Sequence, residues 1–100
     1  MLSLRAVRTK DLDVKQDTLD FYVEQALGDA KPLDRRSGTF QELIGEYVSF
    51  NKNDFQWRMW FIIVNPRTVL ILSELAPVGA NDDAAWSTFS DSLVIKSSKD

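Results

Sequence analysis

The sequence predicts one α+β domain built on an antiparallel sheet. Three β-rich runs, at about 39–50, 55–64 and 68–75, follow one another with turn signals between them. Two segments of helical periodicity, at about 11–27 and 82–94, flank this meander. Strands run together without strand–helix–strand alternation, which favours α+β over a parallel α/β sheet. With a short strand at the start, the expected order is β-α-β-β-β-α. Residues 1–100 make a single domain, of which 96–100 is a frayed polar tail.

Residues 1–8 alternate. Leu2, Leu4 and Ala6 fall on one side and Ser3, Arg5 and Val7 on the other, which predicts an edge strand. In the first helix Leu19, Tyr22, Val23, Ala26 and Leu27 form one stripe at helical spacing. Asp13 and Gln16 have capping-box spacing at its start, and Gly28 is a natural stop. Val14 and Phe21 fall off the stripe. Residues 29–38, with Asp34, Arg35 and Arg36, read as a polar connector.

The meander follows. Residues 51–54, Asn-Lys-Asn-Asp, supply the first turn, because asparagine tolerates positive φ. Asn65-Pro66-Arg67 supplies the second, where proline has no N–H for the ladder. A loop of Lys52 and Asn53 sets Val48 opposite Trp57 and Ile44 opposite Phe61. A loop of 65–67 sets Phe61 opposite Ile71 and Arg58 opposite Glu74, an opposite-charge pair that supports this register. The register then sorts the faces. One face carries Phe40, Ile44, Val48, Phe50, Trp57, Met59, Phe61, Ile63, Val69, Ile71 and Leu75. The other carries Leu43, Tyr47, Trp60, Ile62, Val64, Leu70 and Leu72. Both faces are apolar in the middle, so something must cover each. In the last helix Asn81 is the expected cap, Asp82 and Asp83 suit the dipole, and Ala85, Trp86, Phe89 and Leu93 face the core.

Composition narrows the chemistry. The 100 residues carry a net charge of −3, with 44% hydrophobic and 27% charged residues. This mild acidity leaves no footprint for nucleic acid. No apolar run approaches the length of a membrane span, and residues 1–8 lack a signal-peptide core. A cytoplasmic location is the default expectation. Cysteine and histidine are both missing, which removes thiolate chemistry, the commonest general base and the commonest transition-metal ligand. No cofactor is expected. Glu42 and Glu46, four residues apart on one expected strand, would stand ~13 Å apart at ~3.3 Å per residue. That is too far for a glycosidase pair, which needs ~5–9.5 Å. They read as solvated edge charges, Arg35 and Arg36 as surface charges. Ser87, Ser90 and Ser92 have no histidine to activate them. No catalytic residue is assigned.

The strand at 2–8, the helix ending at Gly28, the meander at 39–75 and the closing helix with Trp86, Phe89 and Leu93 are together similar to the second half of PsbP-like domains. That superfamily includes the photosystem II extrinsic subunit, a Ran-binding nuclear-transport protein and bacterial DcrB-type proteins. The family's usual first hairpin has no counterpart here. The resemblance implies binding without catalysis, and it transfers no functional residue.

The function expected is therefore a non-catalytic interaction domain, of adaptor, chaperone-like or bacterial immunity type. Two helical stripes cover about one sheet face. The second face is then left for a protein partner or a second copy, which would dock on Leu43, Tyr47, Trp60, Ile62, Leu70 and Leu72. The other reading is a small enzyme or ligand-binding protein with a pocket between helices and sheet.

Overall fold

The computed structural model describes residues 1–8 and 16–93, apart from the side chains of 16 and 17. The Asp13–Gln16 capping box, Val14 and the 96–100 tail lie outside the described residues. The elements are β1 (Leu2–Arg8), α1 (Gln16–Leu27), β2 (Pro32–Phe40), β3 (Leu43–Lys52), β4 (Phe55–Asn65), β5 (Thr68–Pro77) and α2 (Asp83–Ser92). The strands form one antiparallel sheet in the order β1-β5-β4-β3-β2. The expected α+β class and its central meander are present, with β1 as an edge strand.

The sheet has one strand more than the sequence predicts. Residues 32–40 pair with β3 and form the second edge, where a polar connector was expected. The run expected as a single strand over 39–50 turns back on itself at Gln41 and Glu42, which have φ of 50° and 70°. Neither residue is a usual turn former, so nothing local marks this reversal. Phe40 then lies opposite Leu43, on the same face as Leu43 rather than the face expected for it.

The β4–β5 register is the expected one: Arg58 faces Glu74 and Phe61 faces Ile71. The β3–β4 register differs by two residues. Asn53 and Asp54, at φ of 55° and 66°, make the turn, so Val48 faces Met59 and Glu46 faces Phe61. A slide of two leaves every side chain of these strands on its predicted face.

The helices take opposite faces. Leu19, Val23 and Leu27 of α1 are buried against Val48, Phe50, Met59, Phe61 and Ile71. On the far side Trp86 of α2 is buried with Tyr47, Ile62 and Leu72, and Phe89 and Leu93 pack beside them. The expectation that both helices share one face is overturned. Each helix has one apolar stripe and each face is apolar, so one helix per face buries both. Phe21, off the α1 stripe, is 60% exposed, as its position predicts.

Gly45 in β3 is required by close approach. A Cβ there would stand 3.2 Å from both the Trp60 ring and the Phe61 carbonyl oxygen. The indole lies over the β3 backbone and has no room beneath it. Gly45→Ala is expected to cost about 1–3 kcal/mol, the range for an overpacked site. Urea denaturation measures it, and a variant as stable as the parent would mean that the ring moves aside freely.

Candidate functional site

The residues expected to meet a partner do sit together on one sheet face, with α2 folded over them. Tyr47, Ile62 and Leu72 are buried beneath it, while Leu43, Trp60 and Leu70 are half-buried at its margins. Trp60 packs its ring against Tyr47 at 5.4 Å and Phe40 at 5.6 Å. The cover expected from another chain is therefore supplied, over the middle of the face, by this chain's own helix. Burial raises the Tyr47 hydroxyl above its ordinary range, against a hydrogen bond with Ser49 that lowers it.

Each helix is tied to its face by one arginine of the sheet. On the α2 side Arg58 Nε donates to Glu74 Oε1 at 2.6 Å, and its Nη1 donates to Asp83 in the first turn of α2. The guanidinium also lies 5.7 Å from the Trp86 ring. Both Arg58 and Glu74 are nearly enclosed, with side chains 11% and 5% exposed. Burial alone would lower the Arg58 pKa, but the hydrogen bonds to Glu74 and Asp83 outweigh it and the net shift is upward. Asn81 is not the helix cap. Its amide donates to Glu74 Oε1 at 2.8 Å, and Asp82 caps α2 by accepting from the Ala85 N–H. Gln41, in the unsignalled turn, donates to the Leu93 carbonyl at the far end of α2.

On the α1 side Arg35 of β2 performs the same task. It donates to Glu24 Oε1 at 2.6 Å, Glu46 Oε1 at 3.3 Å and Asp20 Oδ1 at 3.4 Å. The hydrogen bond with Glu24 is the main cause of its raised pKa. Ser37 Oγ donates to the other Glu46 oxygen at 2.7 Å. Glu46 is 3% exposed. The expectation of solvated charges at Arg35 and Glu46 is thus corrected: both belong to a network joining helix to sheet. Their spacing in the chain gives no sign of it, because the partners come from three separate elements. In each cluster the carboxylates are engaged by arginine, so neither offers a free general base. The two clusters lie on opposite faces and cannot act on one substrate.

Among the described residues two surfaces are open. The first is the outer edge of β1. The second is a cleft of about 510 Å³ on the α1 face, near the end of that helix. Phe50, Trp57, Met59 and Leu75 line it together with Phe55 and Ala26. Arg5 from β1 and Lys52 from β3 also border it. The Phe50 and Trp57 rings stack with centroids 6.1 Å apart. The sequence places Phe50, Trp57, Met59 and Leu75 on one face and marks Gly28 as the helix stop, but nothing local shows where along the strands that stop falls. Among the described residues no helix is long and apolar enough to cross a membrane. A scan of protein-family models finds no match to the chain, and a search of curated proteins finds none.

Proposed function

We propose that the chain is a non-catalytic binding domain that holds an extended segment of a protein partner along β1. The observation that carries this reading is the difference between the two sheet edges. The β2 edge is guarded by Pro32, by a register shift between Pro32 and Asp34, and by the charges of Asp34 and Arg36. The β1 edge has no proline, no glycine and no bulge. Met1 and Leu75 exchange backbone hydrogen bonds at 2.7 and 2.8 Å. By antiparallel alternation the N–H and C=O groups of Leu2, Leu4, Ala6 and Arg8 then point away from the sheet. Leu2 and Leu4 are 37% and 48% exposed, beside the half-buried Leu70 at the margin of the covered face. An added strand would satisfy the backbone groups and cover these leucines. β1 carries two arginines and no carboxylate, so a partner segment with acidic residues suits it better than a second β1. The likeness to PsbP-like domains agrees with binding without catalysis.

The test is a displayed-peptide selection against the whole chain, followed by Ala6→Pro. Selected peptides are expected to alternate apolar residues with carboxylates. Ala6→Pro removes an outward N–H and should weaken them about tenfold, the worth of a hydrogen bond of ~1.4 kcal/mol, while the melting temperature shifts little. Val7→Pro, whose N–H points into the sheet toward Val69, should instead cost the fold about 1–3 kcal/mol, because it removes a ladder hydrogen bond and leaves its acceptor unpaired. Peptides that bind equally well to Ala6→Pro would overturn the reading. So would sedimentation showing that β1 is already occupied by a second copy.

A further inference from the structure

We infer that the cleft at the end of α1 is a binding site for a small amphipathic anion, a carboxylate carrying a hydrocarbon or aromatic tail. This inference does not require a partner strand on β1, although Arg5 of β1 borders the cleft as well. At about 510 Å³ the cleft has the size of a ligand pocket, and its lining is dominated by apolar side chains. Trp57 and Leu75 are only half-buried and Phe55 is 41% exposed, so the described residues leave this apolar surface open. The polar groups that border it are unequal in sign: Arg5 and Lys52 are cations, Asn53 is neutral, and among the described residues no carboxylate lines the cleft. Among the described residues neither Arg5 nor Lys52 has an ion pair, although the chain as a whole carries an excess of acid. Arg35 and Arg58, by contrast, are held by carboxylates. Two cations with no ion pair among the described residues, beside an apolar cleft, are complementary to a ligand with an anionic head and an apolar tail.

A competing role exists for Lys52. A Cβ on Gly28 would stand 3.1 Å from Lys52 Nζ, so the ammonium sits at the C-terminal end of α1, whose last turn has no basic residue. There it complements the negative end of the helix dipole. Arg5 has no such role, and the experiment separates the two.

Decanoate, decanol and decylamine share one tail and differ in head charge. Calorimetric titration of the whole chain, below the aggregation threshold of each probe, is expected to give one decanoate site. Decanol and decylamine should bind at least tenfold more weakly. A terminally brominated decanoate should quench tryptophan fluorescence, because Trp57 lines the cleft. Arg5→Gln should weaken decanoate about tenfold, the scale of a lost charge-assisted hydrogen bond, with the melting temperature unchanged. Lys52→Gln should weaken it similarly even if it also lowers the melting temperature. No decanoate binding at millimolar concentration would overturn the inference. Equal affinity for decanol would also overturn it, as would decanoate affinity unmoved by Arg5→Gln.

Discussion

Phe61→Ala is expected to remove about 3–5 kcal/mol of stability, the usual cost of emptying a buried aromatic site. Phe61 lies in β4, the middle strand of the sheet, and is 2% exposed. Its ring stacks on Tyr22 of α1 with centroids 6.4 Å apart, so it joins helix to sheet as well as strand to strand. Its neighbours across the sheet are Glu46 on β3 and Ile71 on β5. Glu46 is tied to Arg35 and Ser37 and cannot move in to fill the cavity. A domain of this size has about 5–15 kcal/mol in total, so the variant should be near the edge of unfolding. The melting temperature should fall by at least about 12 °C. Phe21→Ala is the control. Phe21 is one residue from Tyr22 yet 60% exposed, and its loss should stay within about 0.5 kcal/mol. Two variants of similar stability would contradict the packing of α1 described above.

Arg58→Ala is expected to cost a similar amount, about 3–5 kcal/mol, by a different cause. Most surface ion pairs contribute about 0–1 kcal/mol. Arg58 and Glu74 form an enclosed pair, and removing the guanidinium leaves the Glu74 carboxylate buried with only the Asn81 amide as its described polar partner. Asp83 loses its link to the sheet at the same time, and Trp86 loses the cation over its ring. The double change Arg58→Met with Glu74→Leu should recover most of the loss. It removes both charges together, along with Arg58 Nη2, a buried donor without a partner among the described residues. Chemical denaturation of the two variants side by side checks both statements. An Arg58→Ala chain within 1 kcal/mol of the parent would show that the pair is solvated after all.

The sequence alone carried the meander, the edge position of β1, the helical stripe of α1 and the pairing of Arg58 with Glu74. These rest on local rules. Side chains alternate along a strand, helical positions repeat every three to four residues, and Pro66 ends a ladder wherever it falls. The same rules showed that both sheet faces need cover. The candidate site was less legible. Leu43, Tyr47, Trp60, Ile62, Leu70 and Leu72 do share a face, but alternation says nothing about which element lies over it.

Tertiary structure decided the rest. The turn at Gln41 and Glu42 has no glycine, asparagine or proline to announce it, and pairing along β2 and β3 holds those residues at positive φ. That turn converts an expected connector into an edge strand and places Arg35 beside Glu46. The choice of face for each helix is likewise not encoded locally. An amphipathic helix buries its stripe against either face of a sheet that is apolar on both. Here Arg35 holds α1 to one face and Arg58 holds α2 to the other, through partners drawn from distant parts of the chain.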